Sequence, residues 1–403
     1  MNTTEIIRKP LRLLLCGLAA CVLGCTEEEP PVVWDPADQG GATPVITSIS
    51  PAGAAWSGIT PMVISGSGFS ALSTVYIGTG IGTLTGVTPT ELTLIAPRDT
   101  GSGFTIKVVN SDAYQYASIG PYALYSINTD VAKLIDSSTI NALEVDDQGT
   151  VYVHQLAKVY KVAPGQGQAL VGATSDVPVA TVLRLNRDGY LYMANRAKTS
   201  IYRLDLATGV ESEYVWVKGY AEGFDFGANG KTIYSGGSKN FSVIDSNRVV
   251  TKTAYYTADV ITAVRVFQDF VYVVLANGIW RNKINADGTL GAPEQYFNWQ
   301  NAGPASSSSI NDITFALNGD LYVATDYQDP VLVVHPDGTS SFLYPGALDS
   351  PISNFVWGSN APHLYMNYAT RGGRRIGQVV MDANLAPLNI NPIIGAPYNG
   401  RDL

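Results

Sequence analysis

The stretch Ile310–Gly338, INDITFALNGDLYVATDYQDPVLVVHPDG, reads as strand, tight turn, strand, loop, strand. Its apolar alternation places strands at Asp312–Ala316, Leu321–Thr325 and Val331–His335. Between the first two, Leu317–Asp320 contains Asn-Gly, which supplies the positive φ angles that a tight hairpin requires. Variants of this unit recur along most of the chain. Their fixed mark is a tyrosine in the second strand: Tyr152, Tyr192, Tyr234, Tyr272, Tyr322 and Tyr365, spaced 40, 42, 38, 50 and 43 residues apart. Turns precede most of them, at Asp147-Gln148-Gly149, Arg187-Asp188-Gly189, Ala228-Asn229-Gly230 and Leu317-Asn318-Gly319. A third strand follows each, at Val159–Val162, Ile201–Leu204, Phe241–Ile244, Ile279–Ile284, Val331–Val334 and Ile376–Met381.

A four-stranded unit with this period is a β-propeller blade, and six of them fit residues 126–403. One blade cannot bury both faces of its sheet, so blades must stack around an axis and the ring must close. Val131–Asp136 is the expected closing strand, because an open outer edge would leave backbone groups unpaired. Helical periodicity with caps is nearly absent outside the N-terminus. The turn and tyrosine pattern resembles the NHL type of six-bladed propeller.

Working outward, residues 44–125 carry short strands separated by Gly, Pro and Ser turns. They include Val45–Pro51 (VITSISP), Pro61–Ser70 (PMVISGSGFS), Val75–Gly78, Leu92–Pro97 and Phe104–Asn110. The ISP opening, the GSGF turn and the late apolar-x-Pro resemble the IPT/TIG family of immunoglobulin-like domains, which implies a β-sandwich acting as spacer or interaction module. Gly66-Ser67-Gly68 is not followed by a helix. It therefore reads as turn glycines with positive φ rather than a phosphate loop. The fold class is thus all-β, an immunoglobulin-like sandwich followed by a six-bladed propeller.

The first 25 residues read as an address. Arg8, Lys9 and Arg12 precede the short apolar run Leu13–Leu23 and the sequence Val22-Leu23-Gly24-Cys25. That end resembles the lipobox of bacterial lipoproteins, which implies cleavage before Cys25 and its acylation. All three cysteines lie in this segment, so the mature chain is expected to have no disulfide. Thr26-Glu27-Glu28-Glu29 reads either as a solvated spacer or, by resemblance, as the export signal of Bacteroidota-type surface lipoproteins. Residues 26–43 read as a flexible tether. The net charge of −9 and pI near 4.8 repel phosphate backbones, which argues against nucleic acid as a partner.

Propeller sites lie at the mouth of the channel, where outer-to-inner-strand loops converge with second-to-third-strand loops. The longest such connection is Gly291–Ile310, with Tyr296, Phe297 and Trp299 beside Asn298, Gln300 and Asn301. Flat aromatic faces beside amides suit sugar rings, and the same aromatics suit an outer strand packed between blades. A second group follows the anchor strands: Asn195, Arg196 and Lys198; Asp326, Tyr327 and Asp329; Tyr368, Arg371, Arg374 and Arg375. Here Asp326 and Asp329 are a candidate carboxylate pair for acid/base work or for calcium, and the arginines a candidate clamp for an acidic saccharide; both groups also read as surface turns.

Resemblance to gluconolactonase-like propellers implies a weak alternative in which Glu222, Asn141, Asn311 and Asn354 surround a divalent metal. The three asparagines begin inner strands at equivalent repeat positions, which also suits a shared hydrogen-bonding role. His335 and His363 suit structural or surface positions, whereas the role of His154 is open. No cofactor is called for. The architecture resembles lipoproteins that accompany glycan import. That resemblance implies non-catalytic capture of a glycan or polysaccharide at the outer membrane, beside import proteins. A propeller enzyme and an adhesion scaffold are the rival expectations.

Overall fold

Six four-stranded antiparallel sheets follow the sequence repeat, their strands pairing in order from the innermost outward. The computed structural model describes residues 40–131, 139–358, 363–370 and 373–381. The expected signal segment with Cys25, most of the expected tether, and Arg371 lie outside the described residues, as does the side chain of Arg374. Inner strands occupy Ile140–Val145, Val182–Leu185, Gly223–Phe226, Ala263–Phe267, Ile310–Phe315 and Ile352–Trp357. Each contacts the inner strands of both neighbouring blades, and the first touches the last, so the ring is closed.

The anchor tyrosines explain how the blades stack. Five are buried and Tyr322 is partly so. Tyr192 meets Phe226 of the next blade edge-on at 5.1 Å, Tyr272 meets Phe315 at 4.5 Å, and Tyr322 meets Trp357 at 5.3 Å. Each tyrosine therefore fills the gap toward the following inner strand, and the repeat conserves its position through packing. The turn glycines behave as their sequence indicates, Gly149, Gly189, Gly230 and Gly319 all having positive φ.

Blade five corrects the reading of the opening stretch. Its first strand starts at Ile310, because a bulge at Asn311 interrupts the alternation: Ile310 faces Thr325, yet Asp312 faces Ala324. The same irregularity falls at Asn141 in blade one and at Ser353 in blade six. The supposed loop at 291–310 is also mostly ordered structure. Leu290–Asn298 is the outer strand of blade four, and Trp299–Ser307 forms a kinked 3₁₀ segment.

Ring closure begins earlier than expected. Asn128–Asp130 pairs with Gly373–Val380 to complete blade six, and 132–136 of the expected strand Val131–Asp136 lie outside the described residues. Val131 contributes only its N–H, to the carbonyl of Ile376 at 3.0 Å.

The sandwich packs two sheets, one ordered Val45–Ser50, Pro61–Ser67, Glu91–Ile95 and Thr83–Val87, the other built around Gly101–Asn110. Its core is Met62, Ile64, Val75, Ile77, Leu92, Leu94, Ile106, Val108 and Leu124. Of the GSGF glycines, only Gly68 has positive φ (+73°). Gly66 lies within a strand, and a Cβ there would fall 1.8 Å from the carbonyl oxygen of Val45, so it serves close approach rather than a turn. The end of the expected tether is pinned, Gly41 N–H donating to Asp112 and Asn110 Nδ2 to the carbonyl of Ala42, both at 2.7 Å. The sandwich also docks on the propeller. Trp56 joins a buried cluster with Ile127, Leu348, Ile352, Trp357 and Tyr368, and Arg98 donates to the carbonyl of Pro345 at 3.3 Å.

Candidate functional site

On the face reached by outer-to-inner-strand loops, polar side chains at or near the starts of inner strands stitch neighbouring blades together. Asn311 Nδ2 donates to the carbonyl of Ile352 (2.8 Å), Asn354 Nδ2 to that of Asn141 (3.1 Å), and Thr181 Oγ1 to that of Glu222 (2.7 Å). Glu222 is buried and pairs at 3.0 Å with the exposed Arg196. Asn141, Asn311, Asn354 and Glu222 thus lie around the same channel mouth; the Nδ2 of each asparagine is hydrogen-bonded and Glu222 is in an ion pair, while the buried Oδ1 of Asn354 has no hydrogen-bond partner. No cluster of three or more His, Cys, Asp or Glu with metal-binding arrangement occurs among the described residues. His154, open at the level of sequence, is fully buried. Its Nδ1 lies 3.0 Å from Asn141 Nδ2, and its Nε2 lies 2.9 Å from both Thr174 Oγ1 and the Val177 carbonyl. Desolvation lowers its pKa to about 4.

The sequence candidates are dispersed and largely occupied. Trp299 is 3% exposed, and its indole N–H donates to the Ser308 carbonyl at 3.0 Å, so it offers no ring face to a ligand. Tyr296 packs edge-on against Tyr272 at 5.2 Å with the Arg281 guanidinium 5.0 Å from its ring. Asn298 caps the 3₁₀ segment, its Oδ1 accepting from Gln300 N–H at 3.0 Å. Asn195 is buried and accepts from Ala197 N–H at 2.7 Å. Asp326 accepts from Ser309 N–H at 2.8 Å, and Tyr327 stacks on Phe342 at 5.4 Å. Asp329 accepts from Gly346 N–H. Arg375 is paired with both Asp130 and Asp349. Among the described residues, the aromatics exposed on this face are instead Trp216 and Tyr220.

Charge is concentrated where sequence reading did not place it. The inner-strand residue paired with each anchor tyrosine is Glu144, Arg184, Asp225, Arg265, Thr314 and Val356 in turn. The four charged members are all buried, as is Asp312 one layer away. They cross-link blades: Asp225 Oδ2 accepts from Val266 N–H at 2.9 Å, and Arg265 Nε donates to the Ile313 carbonyl at 2.8 Å. Asp312 Oδ2 accepts from Phe355 N–H at 3.3 Å. Burial and the nearby Arg265 charge both lower the pKa of Arg184, while Asp225, Glu144 and Asp312 act the other way. The signal was available in sequence as the position opposite each anchor tyrosine.

From Glu144, Arg184 and Asp225 a cavity of about 870 Å³ opens toward the hairpin-turn face, opposite the face expected to bind. Its walls are the first-to-second-strand turns of blades two and three, with Asn186, Arg187 and Asp188 on one side and Ala228–Lys231 on the other. Tyr192, Tyr214, Phe226, Ser246 and Asn247 complete it. Tyr192 donates its hydroxyl to Asp188 Oδ2 at 2.6 Å; burial, first, and this acid raise its pKa. Asn186 Nδ2 donates to the Gly230 carbonyl at 3.1 Å, joining the two turns. The lining is thus polar and apolar in equal measure, mixed in charge, and held by its own hydrogen bonds.

Residues 44–124 match the IPT/TIG domain family. No curated protein matches the chain. Among solved structures, an auxiliary nutrient binding protein from Bacteroides thetaiotaomicron is 12% identical with a TM-score of 0.54, covering 84% of this chain and 97% of that one. A second protein of that organism, to which a phosphatase activity is provisionally ascribed, is 12% identical with a TM-score of 0.57, covering 85% and 99%. At such identity the likeness speaks for the fold alone.

Proposed function

We propose that this chain is a lipid-anchored capture protein, acylated at Cys25 and held at the outer membrane facing outward. In this reading it binds a glycan without turning it over, beside import proteins. The observation that carries the reading is the open cavity of about 870 Å³ at the hairpin-turn mouth of the channel, whose lining is half polar and half apolar. Its size lies toward the upper end of ligand sites, and its hydrogen-bonding walls suit a polyhydroxylated ligand better than an apolar one. A fold shared with a protein described as nutrient binding adds support for a binding role. The sandwich then holds the propeller away from the anchor as a docked domain.

A glycan array with the purified protein tests this reading. Ala228 is exposed on the cavity wall, so Ala228→Trp puts an indole at the cavity wall without entering the core. Glycan binding that disappears in Ala228→Trp at unchanged melting temperature supports the proposal. Binding lost instead in Trp216→Ala moves the site to the opposite face. Release of a cleaved or ring-opened product favours a propeller enzyme, and silence across the array favours an adhesion scaffold.

A further inference from the structure

We infer that the pole of the sandwich farthest from the propeller rests on the membrane surface through exposed tyrosine and aliphatic side chains; the inference rests on the lipid-anchor part of the reading above. Strand directions define two poles. Val45–Ser50, Ser73–Ile77, Glu91–Ile95 and Ala117–Tyr125 start at one of them, and Pro61–Ser67 and Gly101–Asn110 end there. From that pole Ala117–Tyr125 runs about 30 Å to the other, where Ser126 and Ile127 lead into the propeller. The chain running back toward Cys25 leaves from the first pole, and its exit is fixed. Asn110, 1% exposed, donates its Nδ2 to the carbonyls of Ala42 and Gly68, both at 2.7 Å, and accepts from Ser73 Oγ at 2.6 Å. Gly41 N–H donates to the Asp112 carbonyl at 2.7 Å, and Gly40 lies against Tyr114, where a Cβ would fall 2.9 Å from two ring carbons. Even fully extended, the residues between Cys25 and Gly40 reach only about 50 Å.

The chemistry of that pole fits a bilayer. Its loops are residues 40–45, 68–73, 87–90 and 110–117, and Asp112 is the one charged residue in them. Val45, Leu72, Val87, Tyr114 and Tyr116 are exposed there, the two tyrosines by 62% and 56%. The pole against the propeller, by contrast, carries Arg98 and Asp99. Single apolar side chains are ordinary on any protein surface, whereas a group of them with almost no charge between marks a face that meets something other than water. Tyrosine suits the boundary of a bilayer, its ring among the upper acyl chains and its hydroxyl among the head groups. Leucine and valine add apolar area to the same face. Lys107 Nζ lies 5.6 Å from the Tyr116 ring, one cation against the one acid, so the face is close to neutral and its attraction to lipid is apolar. The occupant follows from the chain itself, because the residues joining Gly40 to Cys25 bring the bilayer to this pole before any other part of the molecule.

The test uses the full chain, acylated in the cell and reconstituted into vesicles of phosphatidylethanolamine and phosphatidylglycerol. Cys16 and Cys21 fall before the cleavage point of that reading, so Gln115→Cys, exposed in the loop 110–117, takes a single environment-sensitive fluorophore. Lys231→Cys, exposed at the cavity rim, provides the comparison. On vesicles, emission from position 115 is expected to shift to the blue and to lose its quenching by aqueous iodide, while position 231 stays fully quenched. The double variant Leu72→Asp/Tyr116→Asp, at two exposed positions, is expected to restore quenching at position 115 at unchanged melting temperature, with the acyl chains still holding the protein on the vesicles. Shielding at position 115 is expected to persist at high salt, because Coulomb attraction is not its source. A probe at position 115 that stays open to iodide on vesicle-bound protein overturns this inference and leaves the anchor intact. Equal shielding at positions 115 and 231, or shielding untouched by the double variant, likewise overturns it. A Cys25 without added mass, in protein that does not float with vesicles, overturns the lipid-anchor reading and this inference with it.

Discussion

Asn128 Nδ2 lies 3.0 Å from the hydroxyl of Tyr368, 240 residues further along the chain. The contact joins the strand that follows the sandwich to the sheet that ends the propeller, so ring closure belongs structurally to the junction between the two domains. Only Ser126 and Ile127 separate the last sandwich strand from the closing strand, and Ile127 packs with Trp56 against blade six. Trp56→Ala should therefore destabilise the propeller as well as the sandwich, by about 3–5 kcal/mol. Hydrogen exchange in Gly373–Val380 should accelerate in that variant. Exchange confined to the sandwich would mean that the domain is only a spacer.

Arg265 holds three blades at once, donating at 2.8 Å to Ile313 and at 3.4 Å to Phe355 while lying 4.0 Å from Asp312. Arg265→Met removes those donors and leaves a buried carboxylate without its cation, at a cost of about 3–5 kcal/mol. Denaturant titration should show a lowered midpoint. An unchanged midpoint would show that backbone N–H groups alone stabilise Asp312.

The architecture was legible because its signals are periodic. A tyrosine every blade, with Asn-Gly or Asp-Gly turns before several of them, survives any variation in the intervening residues. The start of the closing strand was not legible because three residues, Asn128–Asp130, carry no alternation long enough to read. The cavity was less legible still. Arg187 and Lys231 become neighbours only when blades two and three stack, and Arg184 gives no local sign that it will be buried against Asp225. Aromatic residues in an irregular stretch suggested a binding surface, although aromatics are also the best fillers of an irregular gap.

Trp299 shows that ambiguity experimentally. Its ring is buried with Phe297, Ala302 and Ala305, and its N–H is spent on Ser308. Trp299→Ala is expected to lower stability by about 3–5 kcal/mol through the cavity it leaves. Glycan affinity of the fraction that remains folded should be unchanged. A stable variant that has lost binding would restore Trp299 as a ligand contact.

His154 makes stability depend on pH with a definite sign. Burial lowers its pKa to about 4 in the folded protein, from about 6.5 in the unfolded chain. As pH falls through this interval the unfolded state takes up the proton first, so folded stability is fully present above pH 6.5 and is lost on the way to pH 4. The loss by pH 4 is roughly 2–3 kcal/mol. His363, also lowered by desolvation, adds to the same slope. His154→Gln should be less stable than the native protein at pH 7.5, because three hydrogen-bonded contacts are disturbed, yet its stability should decline less steeply between pH 6.5 and pH 4. Denaturant midpoints measured across that range test the sign. Parallel slopes for native and variant would show that His154 does not carry the acid sensitivity.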